Sequence, residues 1–384
     1  MTVARADVTH LLADLIRIDS RNPWLIPGAP GEGAVATFIV ERLRPLGVEV
    51  VVDEVSVGRP NVIARLRGSG GGRSLGVNAH IDTVGDAGWP GRSMAPVVEG
   101  DRMIGLGAAD DKGHAAIMAL VLEAMVRSGV RLRGDVVAAF VMDEEATSDG
   151  SFDLVKRHPM DACIVVEPFG LGRAIVTHQG FGWLDVVVHG RAAHGSAPDL
   201  GIDAISGAAE VVRRLDALGA GWAANPHPLN GATVYHASTI SGGSDYATYP
   251  ASATLGIEIG TQPGETIADR VRDIEAIFAT IAAERPDFSA EVVVKLHRDP
   301  FLASGHEPLW EAVATANRAV TGVDLVAVGE NAWMDAAIMQ SAGIPTLSIG
   351  ATGGNLHAPD EWVSLPELVA IGDILERTIV DFCG

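Results

Sequence analysis

Two runs of consecutive apolar residues, at 136–142 and 162–166, most strongly constrain the fold of this 384-residue chain. A long, mostly apolar stretch with helical spacing, from Lys112 to Ser128, precedes them. Continuous apolar runs of this length suit strands that are buried on both faces of a sheet, with helices covering each face. The pattern therefore predicts an α/β fold with a mixed sheet flanked by helices.

The middle of the chain follows a different order. Strand and helix patterns alternate there as βαββαβ, and Thr266 and Asp269 have the spacing of a capping box at the start of the second helix. This order is typical of the ferredoxin-like unit. Because the first pattern returns afterwards, we predict an inserted domain at 174–296 within a domain formed by 1–173 and 297–384.

Composition excludes several classes of function. Lys plus Arg number 28 and Asp plus Glu number 49, which gives a net charge of −21. A nucleic-acid-binding chain needs a basic stripe, and the same imbalance disfavours an anionic membrane surface. The two cysteines form no disulfide framework or metal-ligand spacing. Because the sequence shows neither a signal peptide nor ~18 consecutive uncharged apolar residues, we expect a cytoplasmic protein.

Polar clusters follow several of the strand patterns or lie in adjoining loops. Each one alone also fits an ordinary structural role, such as a helix start, a solvated charge run or an exposed loop histidine. Together they would meet at the sheet edge where α/β folds bind ligands. Imidazole and carboxylate ligands without thiolate suit zinc, cobalt or manganese, and two cations with a spare carboxylate can activate water. The clusters are His80 with Asp82, Asp110 with Asp111, the acidic run 143–145, Glu167 and His357.

Six motifs occur in order along nearly the whole chain: NAHIDTV, GLGAADDKG, VMDEEATSDGS, VVEPF, GRAAHGSAPDLGIDAI and GNLHAPDEWV. In this they resemble the co-catalytic metallopeptidase family that includes acetylornithine deacetylase, succinyl-diaminopimelate desuccinylase, aminoacylase and glutamate carboxypeptidase. The resemblance implies an enzyme that hydrolyses amide bonds of small molecules with two divalent metal ions. Zinc is the first expectation, with cobalt or manganese as alternatives. The inserted domain would be a lid and the surface of a homodimer.

The same resemblance assigns the metal ligands. His80 and Glu167 would bind one metal, and Glu145 and His357 would bind the other. Asp110, the first of the Asp pair, would bridge them.

It also assigns the catalytic groups. Asp82 would orient His80, and Glu144 would be the general base that deprotonates a metal-bridging water. His194 would reach the active site of a partner subunit and help to hold the oxyanion. A Glu at position 167 resembles the acylases and carboxypeptidases, which favours an N-acyl amino acid as the substrate.

The sequence departs from the family at the place where a substrate carboxylate is often bound. Gly260 stands where the family often has an Arg, and the nearby loop offers Asp245 and Tyr246 as candidate substrate residues. A di- or aminopeptidase, or a hydrolase of an amide without an α-carboxylate, therefore remains an alternative. A non-catalytic binding protein on the same scaffold is another. Leu106 and His114 are further departures, for which the sequence suggests only a packing change.

Overall fold

The computed structural model describes residues 3–384. Its helices are α1 (Arg5–Arg17), α2 (Gly33–Leu43), α3 (Lys112–Ser128), α4 (Asp149–Arg157), α5 (Ala204–Ala223), α6 (Ile267–Glu284), α7 (Glu307–Thr321), α8 (Ala336–Ser341) and α9 (Leu365–Cys383). Its strands are β1 (Glu49–Ser56), β2 (Arg59–Leu66), β3 (Leu75–His80), β4 (Val97–Glu99), β5 (Arg102–Ile104), β6 (Val136–Val141), β7 (Ala162–Val166), β8 (Arg173–His178), β9 (Gly180–His189), β10 (Tyr235–Gly242), β11 (Ser252–Thr261), β12 (Ser289–Arg298), β13 (Phe301–Leu302), β14 (Val326–Glu330), β15 (Thr346–Ile349), β16 (Gly353–Gly354) and β17 (Trp362–Ser364).

The chain divides into two compact units. The first contains the described residues up to Val176, with Ala303–Ala327 and Met334–Gly384; the second contains Thr177–Leu302 and Val328–Trp333. The sequence prediction divided the chain at 173/174 and 296/297. It also placed 328–333 with the first domain, whereas the structure groups this short segment with the second unit.

A mixed sheet forms the centre of the first unit, with the strand order β1-β2-β6-β3-β7-β15-β8. Strands β3, β6, β7 and β15 are parallel, whereas β1 and β2 pair antiparallel and β15 pairs antiparallel with β8. Every residue of β3, β6, β7 and β15 is buried. Consecutive apolar residues form these strands because both faces of the sheet are covered. The predicted mixed α/β class is confirmed.

The parallel strands place their carboxyl ends at one edge of the sheet. Strand β3 ends at His80, β6 ends just before Met142, and Glu167 follows β7 directly. A small antiparallel sheet has the order β16-β17-β5-β4. Its strands β4 and β5 precede the Asp110 loop in the sequence, and its strands β16 and β17 lie on either side of the His357 loop. This edge collects the polar residues that the strand-end pattern singled out.

The second unit has the predicted βαββαβ order, in the elements β9, α5, β10, β11, α6 and β12. Its antiparallel sheet has the order β10-β11-β9-β12. Alternate residues of β11 are buried against α5 and α6, as expected for a sheet with helices on one face. Thr266 and Asp269 form the predicted capping box of α6. Among residues 3–384, no helix is long and apolar enough to cross a bilayer.

Candidate metal centre

Two strand ends and the loop before α3 supply a first group of possible metal ligands. His80 is the last residue of β3, Glu167 follows β7, and Asp110 lies two residues before α3. The ligand atoms of these three residues lie within 4.8 Å of one another. His80 Nε2 is 2.9 Å from Asp110 Oδ1. One imidazole and two carboxylates in this arrangement can hold a divalent cation.

A second group shares Asp110. The ligand atoms of Asp110, Glu145 and His357 also lie within 4.8 Å of one another. His357 Nε2 is 3.1 Å from Glu145 Oε2 and 3.2 Å from Asp110 Oδ2. Since His80 contacts the other oxygen of Asp110, the two oxygens of one carboxylate face different groups. The structure thus brings the five residues suggested as ligands into two groups joined by Asp110.

The charges and donor atoms of the two groups fit divalent cations. Burial raises the pKa of Glu145 and Glu167, and repulsion from neighbouring carboxylates adds to this effect. Hydrogen bonds with Asp110 and Glu145 raise the pKa of His357 to about 11. Glu145 Oε1 is buried without a hydrogen-bond partner among the residues that the structure describes. Imidazole and carboxylate donors without thiolate suit zinc, cobalt or manganese.

Glu144 lies beside these groups, in a loop with unusual backbone geometry. Asp143 directly precedes it and has a φ of 70°, a left-handed conformation that few non-glycine residues adopt. Burial raises the pKa of Glu144 well above its ordinary value, and the charges of Glu145 and Glu167 contribute to this increase. A carboxyl group with a raised pKa can accept a proton and return it near neutral pH. Glu144 therefore has properties that suit a general base.

Asp82 contacts more than the histidine that it was expected to orient. Its Oδ1 lies 3.3 Å from His80 Nδ1, while the Asp82 carbonyl oxygen lies 3.2 Å from the same nitrogen. The carboxylate also accepts the backbone N–H groups of Glu144 at 3.1 Å and Glu145 at 3.2 Å. Asp82 therefore connects the end of β3 with the loop that carries Glu144.

Three residues from the first two helix-strand segments of the chain, Asn22, Glu32 and Arg59, support the same loop, although no sequence motif marks them. Arg59 donates to both oxygens of Glu32, at 2.8 and 2.6 Å, and to Asp143 Oδ1 at 2.8 Å. Asn22 Nδ2 donates to Asp143 and to Asp82. Glu32 accepts the backbone N–H of Asp143. Asn22 and Arg59 lie 121 and 84 positions from Asp143, so no local pattern in the sequence links them.

Glu361 organises the loop that contains Asp110. Its carboxylate accepts the backbone N–H groups of Gly107, Ala109 and Asp110 at 2.8–3.1 Å. Burial raises the pKa of Glu361 to about 7. Leu106 in the same loop is buried. The motif GNLHAPDEWV contained Glu361, but the sequence gave no reason to separate it from its neighbours.

The other suggested site residues lie in the second unit. His194 is exposed, and its Nδ1 accepts the backbone N–H of Ser196 at 3.2 Å. Tyr246 is fully exposed, and Asp245 accepts the backbone N–H of Ala247. Gly260 lies in β11 opposite Phe181 of β9. The roles of these residues remain predictions.

Comparison with known families decides the class of this protein. The family model described as peptidase family M20/M25/M40 matches residues 76–381. The chain belongs to this family. It is a metal-dependent hydrolase of amide bonds, and the family resemblance inferred from the motifs is confirmed.

This M20 enzyme aligns with known proteins over most of its length. Carboxypeptidase G2 from Pseudomonas sp. (strain RS-16) is 28% identical over 364 residues, covering 92% of this chain and 85% of that protein. N-formyl-4-amino-5-aminomethyl-2-methylpyrimidine deformylase from Bacillus subtilis (strain 168) is 24% identical over 396 residues, covering 93% and 91%. The crystal structure of a tripeptidase from Staphylococcus aureus subsp. aureus mu50 matches with a TM-score of 0.83 at 20% identity, covering 99% of this chain and 98% of that chain. This last likeness is evidence for the fold.

Proposed function

We propose that this enzyme hydrolyses the amide bond of a small N-acyl amino acid or a related compound, with Glu144 as general base. The position of Asp110 between two ligand groups carries the proposal, because a shared carboxylate suits a pair of metal ions. His80 and Glu167 would hold one ion with Asp110, and Glu145 and His357 would hold the other. When bound, the two ions (zinc first, cobalt or manganese as alternatives) would lower the pKa of water and polarise the amide carbonyl.

Glu144 would move the proton. Its carboxylate would accept a proton from the attacking water and then donate that proton to the nitrogen of the leaving amine. The raised pKa of Glu144 supports both steps, since the protonated form is not strongly disfavoured in the fold. The hydrogen bond from the Glu144 backbone N–H to Asp82 would hold the backbone that carries this carboxylate in place between the two steps.

His194 would stabilise the oxyanion, reaching the site of a partner subunit in a homodimer. The backbone N–H of Ser196 donates to His194 Nδ1, so this nitrogen is an acceptor and the ring proton of a neutral His194 lies on Nε2. An exposed Nε2–H is a suitable donor to a developing negative charge. This tautomer supports the role proposed for His194, and the second unit would be the lid and dimer surface.

The substrate has two candidate classes. A carboxypeptidase, as carboxypeptidase G2 is named, releases an amino acid from an amide at its nitrogen. The name therefore supports an N-acyl amino acid, which is our first proposal. The surroundings of Gly260 favour the alternative, an amide without an α-carboxylate. Glycine has no side chain, so position 260 offers no cation to a substrate carboxylate, and a Cβ there would lie only 2.5 Å from Gln179 Oε1. The name of the deformylase, whose substrate is an N-formyl aminopyrimidine, also supports this alternative.

The Glu144→Gln variant tests the role of the base. Gln cannot accept the proton, so we expect the turnover number to fall at least ~10²-fold while metal content measured by elemental analysis stays near that of the native enzyme. Glu41→Gln, at an exposed position on α2, is the matched control and should leave turnover unchanged. Full activity in the Glu144 variant would show that another group is the base.

A substrate panel separates the candidate classes. N-acetyl amino acids, free dipeptides and N-formyl amines without a carboxylate should be compared by kcat/KM on the same metal-loaded preparation. The first proposal predicts the highest value for an N-acyl amino acid. A preference for dipeptides or for the uncharged amides would replace it with the corresponding alternative.

A further inference from the structure

A buried histidine outside the ligand groups connects two segments that carry them. His114 lies in the first turn of α3 and its side chain is completely buried. Its Nδ1 is 2.5 Å from Asp111 Oδ1. The backbone N–H of Ala351 donates to its Nε2 at 2.9 Å. The side chain therefore spans from the loop before α3 to the segment that follows β15.

The hydrogen bonds determine the tautomer of His114. A backbone N–H can only donate, so Nε2 must be unprotonated to accept the bond from Ala351. The ring proton therefore lies on Nδ1, which donates to the Asp111 carboxylate. Asp111 occupies the N-cap position of α3 but makes no side-chain capping bond, because its carboxylate faces the histidine ring instead. A neutral imidazole with this tautomer makes both hydrogen bonds.

Both partners of His114 are close in the chain to proposed ligands. Asp111 directly follows Asp110, the residue shared by the two ligand groups. Ala351 follows Gly350, at which a Cβ would overlap both the Glu167 carbonyl oxygen and His114 Nε2. Residue 350 therefore packs against both the histidine ring and the Glu167 backbone, on the side where a side chain would lie. A shift of the ring would disturb this shared contact.

We propose that His114 is a positioning residue for the metal centre. Its neutral ring fixes the Asp110 loop relative to the segment that packs on Glu167, and thereby sets the spacing between these two carboxylates. The inference rests on the proposed function, because it assumes that these carboxylates bind metal. His114 acts through its hydrogen-bond partners, Asp111 and the Ala351 backbone, as outer-shell groups at metal sites do.

Metal affinity distinguishes positioning from packing. For the native enzyme and His114→Ala, the Kd for zinc should be measured by competition with a chromogenic chelator, and the thermal midpoint should be measured on the metal-free proteins. We expect the Kd of the variant to rise about 10–100-fold, the usual effect of losing an outer-shell partner. His114→Asn retains a donor near the position of Nδ1 and should recover part of the lost affinity.

The chain offers a matched control in a second buried His–Asp pair. His158 Nε2 lies 2.6 Å from Asp53 Oδ2, between the end of α4 and β1. His158→Ala should lower the thermal midpoint of the metal-free protein and leave the zinc Kd unchanged. The same pattern in His114→Ala, or a Kd for His114→Asn no better than for the Ala variant, would overturn the inference. A native enzyme that binds none of zinc, cobalt and manganese would instead refute the proposed function.

Discussion

The backbone N–H of Glu144 donates to the Asp82 carboxylate at 3.1 Å, so the proposed general base is held by the residue that also contacts His80. The same carboxylate accepts hydrogen bonds from the side chain of Asn22 and the backbone of Glu145. An oriented histidine and an oriented base loop therefore depend on one buried anion. A carboxylate that contacts a metal-ligating histidine constrains both the orientation and the basicity of that histidine.

Asp82→Asn should impair the site while keeping its size. An amide offers one acceptor oxygen in place of two. Its NH2 group must therefore face at least one of the N–H groups that now donate to Asp82. We expect the turnover number to fall about 10–100-fold. Asp86→Asn is the control, because Asp86 pairs with Arg21 and Ser93 instead. Equal turnover in the two variants would show that Asp82 does not orient the base loop.

The sequence predicted the residues at strand ends and missed those that reach the site from elsewhere. His80 ends one buried apolar strand and Glu167 follows another, so this edge of the sheet could be inferred from the sequence. Arg59 lies at the start of an antiparallel strand far from Asp143 in the chain, and no periodic pattern reports such a contact. The grouping of 328–333 with the second unit was also missed, because a segment this short shows no composition or periodic pattern that separates it from its neighbours in the sequence.

Removal of Arg59 should destabilise the first unit. The side chain of Arg59 is 15% exposed, and its guanidinium is paired with the buried carboxylates of Glu32 and Asp143. Arg59→Met would leave both without this partner, and breaking a buried pair in this way costs about 3–5 kcal/mol. Chemical denaturation of the metal-free protein measures the change.

Arg67→Met is the control for this measurement. Arg67 also bonds to two carboxylates, those of Glu49 and Asp135, but its side chain is 61% exposed. Exposed ion pairs contribute little to stability because water screens them. Similar losses in the two variants would contradict the importance of the buried network around Arg59.

Removal of metal should lower the thermal midpoint of the native enzyme. The carboxylates of Asp110, Glu145 and Glu167 are enclosed together, and bound cations would relieve their repulsion. A cation present at 100 times its Kd stabilises a folded protein by about 2.7 kcal/mol per site. Thermal unfolding with excess EDTA, followed by addition of zinc, should show a decrease that zinc reverses. If EDTA strips the metal without moving the midpoint, metal binding and folding are not linked.

Position 260 should not tolerate a side chain, for reasons of space. A Cβ on Gly260 would lie 2.5 Å from Gln179 Oε1 and 3.2 and 3.3 Å from the backbone N and O of Val234. Gln179 cannot move away freely, because it is buried and its Oε1 accepts the Val234 N–H. We therefore expect Gly260→Ala to lower the stability of the second unit by about 1–3 kcal/mol, as overpacking does.

Gly221→Ala is the matched control, since Gly221 lies in α5 with nothing within 4 Å of a Cβ. That change should raise stability by up to about 1 kcal/mol through helix propensity. Hydrogen exchange in β11 and α5 measures both effects, and a Gly260 variant as stable as native would mean that Gln179 and Val234 can yield to a side chain.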